Sequence, residues 1–143
     1  GVSRPGLVAL AADLELGAGV CALPGRVDRR LALDWYQALD VFCVPRLDTP
    51  VCRMVTPMKP LTAMALGRPV VASALPALAE VTEPGCGRSF PPGDAEALAR
   101  ILTAMATGDP DHDPAAGTTR TTARLPTWEK NGTRNAEMYE ELR

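Results

Sequence analysis

Histidine is nearly absent: the 143 residues hold one, His112. It stands in the Pro-rich stretch "DPDHDP", and neither Ser73 nor Ser89 has a histidine within reach by sequence context, which argues against a hydrolase triad. Cys21, Cys43, Cys52 and Cys86 form no C-x-x-C pair and have no histidine at ligand spacing. That pattern argues against zinc or disulfides and for buried thiols in a reducing compartment, so a cytoplasmic location is expected. An excess of positive charge is missing as well. Lys and Arg number 15 against 17 Asp and Glu, the net charge is -2, and no basic stripe follows the chain, so nucleic acid is not expected as a partner. No apolar run reaches the ~18 residues of a membrane span, no signal peptide opens the chain, and no internal repeat is evident. Gly1-Val2-Ser3-Arg4 also lacks an initiator methionine, from which we expect that the chain begins inside a longer protein.

What is present is an alternation of helical and strand periods, in a chain of 46% hydrophobic residues long enough for one α/β domain. Pro5 opens a helix through Leu7, Leu10, Ala11 and Leu14, which Gly17 ends. "GVCALPG" predicts a short buried strand, Val20 to Leu23. Asp28 N-caps a helix over "RRLALDWYQAL", and "VFCVP" predicts a second strand, followed by a loop from Arg46 to Thr56. Pro60 fits the first turn of the helix "PLTAMAL", Gly67 sits just past its end, and "PVVAS" is a third strand. Pro76 starts a short helix, Gly85-Cys86-Gly87 turns, "RSFPP" is a fourth strand, and Asp94 caps "AEALARILTAMA". Strands separated by helices predict a doubly wound parallel sheet, an α/β fold. Ligands of such sheets sit beyond the carboxyl ends of the strands, and Lys59 falls there, opening a helix whose free N–H groups and dipole attract phosphate. From the chemistry alone, Lys59 is equally readable as a solvated lysine at an ordinary helix start.

Two further patterns carry less. "DPDHDP" contains two Asp-x-Asp triplets, a metal-binding pattern in some transferases, but it follows a helix rather than a buried strand, so no metal site is assigned. Asn131-Gly132-Thr133 spells a glycosylation sequon inside a predicted helix, and is read as coincidence.

The pieces "GRV", "WYQALDVFCVPR", "VTPMKPLTAMALGRPVVAS", "LPALAEV", "GRSFPPGDAEALARIL" and "TWEKNGTRNAEMYEEL" stand in the order seen in one family. The chain resembles the C-terminal, nucleotide-sugar-binding half of family 4 (group 1) retaining glycosyltransferases of the GT-B fold, over roughly Gly6 to Thr107 and again in the last helix. The resemblance implies a Rossmann-like half that holds a nucleotide diphosphate sugar and transfers its sugar to an acceptor with retention, without metal or other cofactor. It also implies the N-terminal half of the same enzyme as a partner, through which peripheral membrane association is possible. By the same resemblance, Gly25, Arg26 and Val27 lie beside the base, while Met58 and Lys59 lie where backbone amides and a cation meet the diphosphate. Two family glutamates, one near the donor sugar and one on the ribose diol, fall on Met54 and Thr62. The second is the sharper departure, "PLTAMALG" for an expected "PLEAMALG". Glu80 matches a family acidic position, or is an exposed helix acid. Catalytic residues are not assigned.

The family domain begins with a strand, a helix and a second strand that this chain lacks, so the sheet is expected to be incomplete at its N-terminus, with "VCALP" stranded from "VFCVP". Residues 1–107 are therefore read as a partial Rossmann-like donor-binding domain, 108–126 as a mobile connection, and 127–143 as a helix packing toward the missing half. This fragment alone is not expected to be active. The alternative reading is a catalytically inactive, truncated relative that serves as a binding or partner-stabilising module.

Overall fold

A computed structural model describes residues 3–82 and 87–108, together with the helical residues Gly132, Thr133, Glu137 and Glu140. The expected mobile connection beyond Gly108 and most of the expected last helix, with the apolar residues Trp128, Met138, Tyr139 and Leu142 that would dock it, lie outside the described residues, as do Cys86, His112, Asn131 and the side chain of Glu80. The chain divides into two units, Gly1–Trp35 and Tyr36–Arg143.

The second unit is built on three strands, β1 (Phe42–Val44), β2 (Val70–Ser73) and β3 (Gly87–Phe90), paired in parallel in the order β1-β2-β3. Phe42 lies opposite Val70, and Val70 opposite Gly87. Between β1 and β2 run α3 (Pro50–Met54) and α4 (Met58–Ala65); α5 (Pro76–Thr82) links β2 to β3, and α6 (Ala95–Ala106) follows. The two helices preceding β1 are α1 (Arg4–Asp13) and α2 (Ala32–Gln37). Every residue of β2 is buried, as a central parallel strand covered on both faces requires. Its side chains divide by the two-residue period of a strand. Val70 and Ala72 join Met64, Leu75 and Leu78 on one face, whereas Val71 joins Phe90 and Ala97 on the other, with Ile101 and Leu102 packed around them. This is the doubly wound α/β arrangement. Each fully buried Val, Leu or Met contributes about 1.5–3 kcal/mol.

Local chemistry sets the element ends. Asp94 accepts the N–H of Ala97 at 2.8 Å and starts α6. Gly67, at φ +75°, ends α4: its N–H bonds the carbonyl of Met64 and that of Arg68 bonds Ala63, both at 2.9 Å, the paired closure that a left-handed residue permits. Gly87 is needed for a different reason, because a Cβ there would stand 2.7 Å from the Val70 carbonyl oxygen.

Three expectations are corrected. Residues 20–23 form no strand; they lie in the first unit, where no described strand is available to complete a ladder, and the N–H groups of Val20 and Cys21 turn back to Gly17 instead. The stretch expected as a loop, Arg46 to Thr56, contains α3, because Thr49 accepts the Cys52 N–H and Pro50 suits a first turn. The helix containing Pro60 starts two residues earlier, at Met58, since a third-position proline gives up an N–H that has no intrahelical partner. In the first unit α1 buries no residue, and Asp28 accepts the Arg30 N–H at the head of a 3-10 turn, Arg29–Leu31, ahead of α2.

Candidate functional site

The loop that leaves the carboxyl end of β1 is fastened at two points. Pro45 is out of phase with the residues of β1 that bond β2, since Phe42 donates to the Pro69 carbonyl and the bonding residues alternate. The next N–H, that of Arg46, is accepted at 2.8 Å by the hydroxyl of Ser73, the last residue of β2. The Arg46 guanidinium then reaches along the loop and donates to the Val55 carbonyl at 3.2 Å. Between these points, Arg53 of α3 grips Asp48 through Nε and Nη2, the latter at 2.7 Å. That hydrogen-bonded guanidinium holds the Asp48 carboxyl below the usual carboxylate range, although both groups are exposed.

Two residues past Val55, Pro57 takes the N-cap position of α4 and gives it no side-chain cap. The first-turn N–H groups of Met58 and Lys59 have no intrahelical acceptor, and both side chains are exposed. The helix dipole therefore puts partial positive charge at this helix start, where Lys59 adds an exposed cationic side chain. Met54, at the end of α3, is three-quarters exposed. Thr62, one turn into α4, is half-buried and donates its hydroxyl to the Met58 carbonyl at 3.4 Å, so it is turned onto its own helix.

The residues expected beside the base belong to the first unit. Gly25, at φ +82°, and Arg26 line a cleft of about 590 Å³ with Ser3, Arg4, Leu7 and Leu23, while Val27 is half-buried. Arg4 stiffens that cleft by donating Nη2 to the Leu23 carbonyl at 2.9 Å. Met54, Met58, Lys59 and Thr62 are thus grouped on α3 and α4 of one unit, and Gly25, Arg26 and Val27 on one turn of the other.

Sequence reasoning missed Arg46 and Ser73. The signal was present in "VFCVPR" and "PVVAS": an arginine just past one strand and a serine closing the next, at the end of the sheet where ligands bind. The thiols of Cys21, Cys43 and Cys52 are free and half-buried rather than buried, and burial pushes the Cys43 thiol up. Among the described residues, no three His, Cys, Asp or Glu side chains come together as a metal site, and no helix is long and apolar enough to cross a membrane.

This architecture, a parallel sheet whose carboxyl edge opens on a helix start, is that of a Rossmann-like α/β domain. The sequence matches the family described as Glycosyl transferases group 1 over residues 3–108, and the chain belongs to that family. Among solved structures, it is similar to sucrose-phosphate synthase from Thermosynechococcus elongatus, at 27% identity and a TM-score of 0.77, over 99% of this chain and 35% of that one. The chain therefore spans about a third of the length of that protein. No curated protein matches it.

Proposed function

We propose that this chain is the donor-binding part of a retaining glycosyltransferase, one that takes a sugar from a nucleotide diphosphate sugar and passes it to an acceptor. The observation that carries the reading is the uncapped start of α4 with Lys59 exposed on it, at the carboxyl edge of a parallel sheet in a chain of this family. The leaving diphosphate gathers charge as the glycosidic bond breaks. Main-chain N–H groups of Met58 and Lys59 and the Lys59 ammonium are placed to offset that charge without rearrangement, which is catalysis by positioning and electrostatics. By the family resemblance, Met54 is the candidate for the sugar, and Gly25, Arg26 and Val27 are the candidates for the base. The acceptor and the rest of the transfer site belong to the N-terminal half of the parent enzyme, and a cytoplasmic setting suits the free thiols.

One observation favours a second reading, a relative that has lost transfer and keeps the fold as a binding module. Thr62 stands where the family's ribose-binding glutamate is expected, and its hydroxyl is occupied by the Met58 carbonyl. Titration calorimetry of the parent protein with UDP, GDP and dTDP, followed by assay of hydrolysis or transfer with the corresponding sugars, separates the two. Binding with turnover supports the transferase, binding without turnover supports the module, and no binding to any of the three refutes the donor site.

A further inference from the structure

Ser73 is almost wholly buried, at 1% exposure, yet its hydroxyl is not idle. It accepts the Arg46 N–H at 2.8 Å and donates to the Val44 carbonyl at 3.4 Å, tying the main chain on either side of Pro45 to the end of β2. The Arg46 N–H is the next in phase to meet β2 after Val44, and the Ser73 side chain accepts it where the strand pairing has ended. The arginine whose N–H is held this way reaches Val55 with its guanidinium, and Val55 lies two residues ahead of Pro57, the N-cap of α4. A continuous chain of contacts thus runs from the end of β2 through Ser73 and Arg46 to the turn that presents Met58 and Lys59. Serine suits the position: alanine would leave the Arg46 N–H without its acceptor.

We infer that Ser73 is a positioning residue for the diphosphate-binding turn: its hydroxyl, acting through Arg46, fixes where the loop leaves the sheet and so where the Met58 and Lys59 N–H groups stand. Ser73 does not touch the ligand. The inference rests on the donor-site reading above and adds to it the element that holds the site in place.

The test uses the whole chain in its parent protein, with two readouts. One is hydrogen exchange of the Arg46 amide relative to the buried Val71 amide. The other is the ratio of affinities for a nucleoside diphosphate and its parent nucleoside, UDP against uridine and GDP against guanosine, which isolates the phosphate contribution. In Ser73→Ala, Arg46 should exchange on the order of tenfold faster relative to Val71, and the affinity ratio should fall by about tenfold. Ser73→Thr, which keeps the hydroxyl, should restore both. If Ser73→Ala does not fold, Arg46→Ala, which keeps the serine and severs the reach to Val55, should give the same fall in the ratio. Faster exchange with an unchanged ratio would overturn the inference, leaving Ser73 a purely structural clamp. Unchanged exchange with a diphosphate preference intact would overturn it too, while the donor-site reading survived. A wild-type protein that binds UDP and GDP no better than the nucleosides would sink the donor reading, and the positioning role with it.

Discussion

On the proposed donor-site reading, replacing Thr62 by glutamate should add a ribose contact, and the structure allows the gain to be separated from its costs. The threonine hydroxyl donates to the Met58 carbonyl at 3.4 Å, a long bond near the low end of the ordinary net range of about 0.5–1.5 kcal/mol. Glutamate loses that bond but is the better helix former by roughly half a kcal/mol, so the folded state should hardly notice the change. Thr62 is only half-buried, which lets a longer side chain turn outward without displacing the core formed by Met64 and Leu78. A carboxylate accepting hydrogen bonds from a ribose diol is worth about 1.5–3 kcal/mol, which corresponds to roughly a 10- to 100-fold gain in nucleotide affinity. Titration calorimetry with UDP and GDP on Thr62→Glu and Thr62→Gln, beside a thermal melt of each, reads both sides. The glutamine variant should gain less, because its acceptor is neutral. Equal affinity in all three proteins with unchanged melting would refute the reasoning, since the site would then be indifferent to a ribose acceptor at this position.

Lys59→Ala should weaken UDP and GDP binding by about tenfold and leave the melting temperature nearly unchanged, because the side chain is exposed; calorimetry showing equal affinity would remove the ammonium from the site. Gly87→Ala should destabilise the fold by roughly 1–3 kcal/mol, as its Cβ would fall 2.7 Å from the Val70 carbonyl oxygen. A denaturant titration that gave wild-type stability would show that β3 shifts to accommodate it. Among the described residues the outer edge of β1 has no strand partner, so the isolated chain of 143 residues is expected to self-associate, and light scattering that found a monomer at high concentration would contradict this.

The second unit was legible wherever residue pattern and local chemistry agree. The runs "VFC" and "VVAS", the Asp94 cap and Gly67 were all visible as letters, because buried parallel strands are apolar throughout and caps use few residue types. "VCAL" has the same composition as those strands but not their outcome, since a strand exists only where a neighbour completes its ladder, and no pattern within the segment encodes that neighbour. Helix α3 was hidden by two prolines and a short span, with its start written in Thr49 and Pro50. Lys59 was singled out as a candidate from its place after a strand, and Thr62 from a resemblance. That Thr62 spends its hydroxyl on Met58, and that Ser73 and Arg46 fasten the loop before α4, depend on tertiary distance, to which residue spacing is blind.

Whether a nucleotide diphosphate sits at the start of α4 is most directly read from backbone amide shifts of the labelled protein during titration with UDP and GDP. The largest changes should fall on Met58 and Lys59, with Arg46 moving alongside them because its N–H is tied to Ser73 at the same edge of the sheet. Changes confined to the cleft between β3 and α6, at Phe90, Ala97 and Ile101, with the amides of Met58 and Lys59 unmoved at saturation, would contradict it.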